Sequence, residues 1–133
     1  MLEEQRKVRE FHQRSGSLVS DRPAWPGDAV HRLRVSLIDE ELAEFRNSGE
    51  TRNLIEVADA LADLLYAVHG AAVEFGIDLE PIFEEVHRAQ LSKCDPAPVR
   101  RPDGHVLKGP NYSPPQIRQA LERQIPAPAG ASM

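Results

Sequence analysis

The sequence has one cysteine, Cys94, in 133 residues. A single thiol makes neither an intrachain disulfide nor a Cys-based zinc site. A reducing, cytoplasmic setting is the expectation that fits. Aromatic residues make up only 5%, too few for a platform on which single-stranded nucleic acid stacks. Positive charge is scarce too: 16 Lys and Arg stand against 21 Asp and Glu, a net charge of −5. No basic stripe is present to track phosphate backbones, so nucleic acid is not an expected partner. The longest apolar stretch, Leu61 to Val73, is interrupted by Asp63 and His69. It is too short and too polar to cross a bilayer, so no membrane partner is expected. The first residues, MLEEQRKVREF, are charged and carry no signal-peptide pattern. No GxxxxGK[ST] loop is present to cradle phosphates.

What is present is helix. Leu2 to Gln13 lacks Gly and Pro and reads as a first helix. Gly16, Pro23, Pro26 and Gly27 then mark a loop. Asp28 stands as an N-cap for a second helix to about Ser48, with Gly49 as its C-cap. Thr51 is placed to cap a third helix, which ends at Phe75 before Gly76. Asp78 is placed to cap a fourth, with Pro81 in its first turn and an end near Lys93. From Cys94 to Pro115 repeated prolines exclude a continuous helix, and PDGH at 102–105 marks a turn, with a short hairpin possible there. A last helix is expected within Pro115 to Arg123. The reading is all-α, one domain over 1–124, with a disordered tail over 125–133.

The acids of the two long helices are in the wrong place for a solvated surface. At about 100° per residue, Val30, Leu33, Leu37, Ile38 and Phe45 define an apolar arc on the second helix. Glu41 and Glu44 fall inside it and Glu40 at its edge, where a surface helix has apolar side chains. On the third helix Val57, Leu61, Leu64, Val68 and Ala71 form the apolar face. Glu56, Asp59 and Asp63 run beside it, close to the small residues Ala60, Ala67 and Gly70. A short connection makes the two helices antiparallel neighbours, so the acidic stripes can face each other across one cleft. Like charges about 4 Å apart repel, and desolvation adds to the cost. Either the groups protonate or cations join them. Hard oxygen ligands select Mg²⁺, Mn²⁺ or Ca²⁺. Leu65, Val73 and Ile77 lie off the main arc, which favours a homo-oligomer built by helix packing.

These motifs resemble a known group. Glu40-Glu41-Leu42-Ala43-Glu44 is similar to an EExxE motif, and Glu56-Val57-Ala58-Asp59 to the ExxD that follows it. With VREFH at 8–12, VHRAQLSK at 86–93 and PDGHVLKGPNYSPP at 102–115, they resemble the all-α nucleoside triphosphate pyrophosphohydrolases. That group includes MazG-like enzymes, dimeric dUTPases and phosphoribosyl-ATP pyrophosphohydrolases. The resemblance spans about 8–121 and implies a four- to five-helix bundle, usually a dimer. It implies hydrolysis of dUTP or a related nucleotide to the monophosphate and pyrophosphate, with two or three Mg²⁺, for which Mn²⁺ can substitute. Resemblance and face together assign Glu41, Glu44, Glu56 and Asp59 as metal ligands, with Asp63 supporting them. Glu40 becomes the general base, or the group that orients the attacking water.

Lys93, Lys108 and Arg88 are candidates for the phosphate tail, with Arg34 behind them; each is otherwise a surface cation. Phe11, His12 and Trp25 are candidates for the base pocket, although Phe11 fits plain core as well. Gln90, where the family commonly has Asn, and Tyr112 are further candidates. His69 reads as a packed histidine. Two other functions compete: the phosphoribosyl-ATP pyrophosphohydrolase of histidine biosynthesis, and a non-catalytic metal-binding helical dimer.

Overall fold

The computed structural model describes residues 1–126, and the tail expected over 125–133 lies from 127 onward outside the described residues. The described residues form five helices: α1 (Glu3–Ser15), α2 (Asp28–Thr51), α3 (Leu54–Phe75), α4 (Leu79–Ser92) and α5 (Ile117–Glu122). The all-α reading is borne out. Two compact units emerge, one from Met1 to Asp78 and one beginning at Leu79. Among the described residues no single helix is long and apolar enough to cross a membrane.

In the first unit α3 is the central element, with α1 and α2 packed on it. Its buried positions are mostly small: Ala60, Ala67, Gly70, Ala72 and Val73. Small side chains let neighbouring helices approach closely, and that is where α2 lies. Leu61, expected on the apolar face, remains 47% exposed; Leu65, expected off that arc, is 49% exposed. The last turn of α3 is closed by the loop after α1. Ser20 N donates to Val73 O, Ser20 Oγ to Glu74 O, and Ala24 N to Phe75 O. Carbonyls that a helix end leaves without intrahelical partners are thereby satisfied. Gly76 ends α3 at φ +71°, and a Cβ there would meet the Arg22 backbone, 2.6 Å from its carbonyl carbon. His69 is buried, and burial pushes its imidazole below the usual range.

The caps differ from expectation. Gly27, not Asp28, precedes α2; Asp28 accepts a hydrogen bond from Trp25 Nε1 at 3.0 Å instead. Helix α2 runs through Gly49 to Thr51 and ends at Arg52, whose φ is +52°. Asn53 is the cap of α3, its side chain accepting from Ile55 N at 2.9 Å. Helical propensity in α2 thus carries the chain past a single glycine, which costs a helix only about 1 kcal/mol.

In the second unit α4 packs with α5, and a short turn precedes α5. Val99 to Leu107 doubles back through PDGH: Arg101 N donates to His105 O and Leu107 N to Val99 O. Glu85 fastens α4 to the segment before α5. It accepts from Arg88 Nε at 3.0 Å and Nη2 at 2.6 Å, and from Gln116 N at 2.8 Å. These donors, Arg88 first, hold its carboxyl down at about 2. A carboxyl depressed on folding stabilises fully above its ordinary value of 4.5 and loses that contribution as pH falls toward 2. Protection of the Gln116 amide against hydrogen exchange is therefore expected to fall across that window. In Glu85→Ala, which removes the acceptor, it should already be low at neutral pH and change little on acidification.

Candidate active site

Helices α2 and α3 are antiparallel, and their register is set by a buried arginine. Arg34 Nη2 donates to Ala67 O at 2.7 Å, and its guanidinium lies against Gly70. Its Nε stands 3.6 Å from Glu74 Oε2, and both side chains are buried. Two helical turns further along α2 is Glu41; two turns back along α3 from Gly70 is Asp63. The same register therefore carries Glu41 and Asp63 to one another.

One carboxylate oxygen from each of Glu41, Glu44 and Asp63 lies within 4.8 Å of the others. Glu41 is at the centre. Its Oε2 is shielded from solvent and lacks a hydrogen-bond partner. Desolvation, then the charges of Glu44 and Asp63, a side-chain hydrogen bond with Glu44 and the charge of Glu40, push its carboxyl above the ordinary carboxylate range. A buried acceptor without a donor, ringed by like charges, is a costly arrangement. Beside this trio a cavity of about 480 Å³ opens toward the α2–α3 connection. Glu44, Glu56, Asp59 and Ala60 line it, with Asn47, Ser48, Glu50 and Thr51. Ala60, buried, lines it with a single methyl group. Glu44 belongs to both groups. Glu56 is held by Thr51, whose Oγ1 donates to Glu56 Oε2 at 2.6 Å.

The cluster differs from the sequence-derived set in one respect. Asp63, expected only in support of the ligands, clusters with Glu41 and Glu44, while Glu56 and Asp59 line the adjoining cavity. The i, i+3, i+7 stripe already contained Asp63, but spacing alone does not say which acids meet α2. Glu40 is exposed beside Glu41 and contributes to its repulsion. By sequence Thr51 is a helix cap; in the structure Asn53 takes that place. The contact of Thr51 with Glu56 crosses a helix break, and no periodicity signals such a pair.

The other candidates are placed as follows. Arg34 is a buried structural cation and not a phosphate ligand. His12 is buried in α1, and its Nδ1 donates to Leu18 O at 2.9 Å, which makes it part of the packing and not of a base pocket. Phe11 is half exposed, its ring edge-on to Tyr66 at 5.9 Å. Trp25, 61% exposed, lies 5.1 Å from the His31 ring and 5.5 Å from that of Phe75. Arg88, Gln90, Lys93, Lys108 and Tyr112 belong to the second unit. Arg88 donates to Glu85 and to Pro114 O. Gln90 is exposed and Lys93 half-buried. Lys108 Nζ sits 5.0 Å above the Tyr112 ring.

The family described as phosphoribosyl-ATP pyrophosphohydrolase matches residues 8–90, more than half of the chain. The match takes in α2 and α3 whole, and with them every acid of the cluster. A similar protein is the uncharacterized protein L479 of Acanthamoeba polyphaga mimivirus, 43% identical over 49 residues. That stretch is 37% of this chain and 20% of the viral protein, so the chain spans only about a fifth of that relative's length.

Proposed function

The chain belongs to the phosphoribosyl-ATP pyrophosphohydrolase family, and from that premise we propose that it hydrolyses a nucleoside triphosphate, dUTP or a related nucleotide, to the monophosphate and pyrophosphate. The observation that carries this reading is the orphaned, shielded oxygen of Glu41 inside a ring of carboxylates. An arrangement so unfavourable alone fits divalent cations well, and an all-oxygen donor set favours Mg²⁺ or Mn²⁺. Glu41, Glu44 and Asp63 would hold one cation, and Glu44, Glu56 and Asp59 another. When bound, such ions neutralise the phosphate charge, polarise the α-phosphate and acidify water.

The chain's own part is to place and shape the acids. Ala60 leaves space for the triphosphate end. Glu40, beside Glu41 and open to solvent, accepts the proton of the water that attacks the α-phosphorus. The choice of dUTP rests on the likeness of PDGHVLKGPNYSPP to dUTP-hydrolysing relatives. The name of the matching family favours phosphoribosyl-ATP as the second reading. A second copy of the chain is the proposed partner: Leu61, Leu65 and Tyr66 leave an apolar stripe on α3 nearly half exposed, ready to be covered. Light scattering at micromolar concentration should give the mass of a dimer.

Pyrophosphate release over a panel of dNTPs and phosphoribosyl-ATP, with Mg²⁺, with Mn²⁺ and with EDTA, tests the reaction. Turnover of dUTP that EDTA abolishes is expected. Turnover of phosphoribosyl-ATP alone would select the second reading. Metal binding without turnover on any nucleotide would overturn both and leave a non-catalytic metal protein.

A further inference from the structure

We propose that Thr51 is a positioning residue for the acidic site, acting through Glu56. The inference rests on the reading of that site as a divalent-cation site. Glu56 lies in the first turn of α3, exposed, at the wall of the cavity. An exposed glutamate has three rotatable bonds, and burial does little to fix them. Thr51 Oγ1 carries one proton and has two acceptors in reach: Glu56 Oε2 at 2.6 Å and Ser48 O at 3.3 Å. The shorter, charge-assisted bond takes the proton. Holding one carboxylate oxygen fixes the rotation of the group, and so the direction in which the other oxygen points.

The location makes the device economical. Thr51 is the last residue of α2, immediately before Arg52 turns the chain at φ +52°. Its hydroxyl therefore ties the end of one acid-bearing helix to the first acid of the next, across the break. Outer hydrogen bonds of this kind orient metal-binding carboxylates, and removing one typically costs 10- to 100-fold in metal affinity.

The test is Mn²⁺ titration of the whole chain, followed by electron paramagnetic resonance, with melting of the metal-free protein as a folding check. Thr51→Val keeps the shape and deletes the hydroxyl; Thr51→Ser keeps the hydroxyl. Thr51→Val is expected to weaken Mn²⁺ binding by about 10-fold, while Thr51→Ser binds as wild type. In a Glu56→Gln background Thr51→Val should weaken it no further, which a general loss of helix stability would not reproduce. Wild-type Mn²⁺ affinity in Thr51→Val overturns the proposal and leaves the function standing. So does equal loss in Thr51→Ser, or an undiminished loss in the Glu56→Gln background. A wild-type protein that binds no Mn²⁺ overturns the function and this proposal together.

Discussion

Replacing Glu41 with Gln should raise the melting temperature of the metal-free protein and remove its turnover. The two effects have one cause. Glu41 Oε2 is shielded and unpaired, and Glu44, Asp63 and Glu40 all act on its carboxyl with the same sign of charge. An amide of the same shape removes one of the clustered charges. It also supplies an N–H donor for the carboxylates of Glu44 and Asp63, so an unsatisfied acceptor becomes a partner. The sign follows from linkage. A carboxyl whose folded value lies above the ordinary 4.5 favours the folded state when protonated and opposes it once ionised. The advantage of Glu41→Gln should therefore be absent below about pH 4.5 and grow as the pH rises through the folded value of Glu41. Magnesium should reverse the order. The wild-type carboxylate gains a counter-charge, whereas the amide is a poor ligand, so added Mg²⁺ raises the wild-type melting temperature and leaves the variant's unchanged. Turnover at fixed Mg²⁺ should fall at least about 100-fold, as expected for a lost ligand when even outer partners cost 10 to 100. Calorimetric scans of both proteins, with EDTA and with Mg²⁺ at pH 4 and pH 7.5, decide it. A variant less stable than wild type in EDTA at neutral pH would mean that Glu41 is an ordinary stabilising side chain.

That cluster was largely legible in the sequence because acids intruded on the apolar arcs of two successive helices. Periodicity reports which residues share a face, and on that ground Glu41, Glu44 and Asp63 were all in view. It does not report depth. Leu61, on the expected apolar face, is half exposed, while Ala60, Ala67 and Gly70 lie inside. Hydrophobicity favours leucine at a buried position, but a close helix crossing admits only side chains that let backbones approach. The same blindness applies to Arg34 and His12. Each looked like a group for substrate, and each is buried and bonded to a backbone carbonyl, Ala67 O and Leu18 O. Burial of a polar side chain depends on a partner distant in sequence, and no local pattern announces it. Thr51 and Asn53 show the limit at helix ends. Two residues of capping type stood three positions apart at most from the start of α3, and only the backbone geometry decided that Asn53 caps while Thr51 faces Glu56.

Gly70→Ala should destabilise the protein by about 3 kcal/mol, the scale for disrupting a buried ion pair. Gly70 is the seat of the Arg34 guanidinium. A Cβ at that position would stand 2.8 Å from Arg34 Cζ, and closer still to Nη2. On an exposed arginine this would cost little, because the tip of the side chain would swing aside. Here the tip is pinned to Ala67 O and paired with Glu74, and both charged groups are more than nine-tenths buried. If the guanidinium leaves, Glu74 keeps a buried charge without a counter-charge; if it stays, the helices must separate. Separation moves α2 along the same register that brings Glu41 to Asp63, so Mg²⁺ should stabilise the variant less than wild type. Gly49→Ala is the control. Nothing lies within 4 Å of a Cβ there, the residue is exposed, and α2 continues through it. Removing a helical glycine should then stabilise by about 0.5 kcal/mol. Denaturant unfolding of the two variants should thus move in opposite directions. The Gly70→Ala loss should also shrink in an Arg34→Met/Glu74→Met background, where no guanidinium needs the space. A loss below about 1 kcal/mol, the size of an average point substitution, or one unaltered in that background, would show that the arginine does not set the register of the two acid-bearing helices.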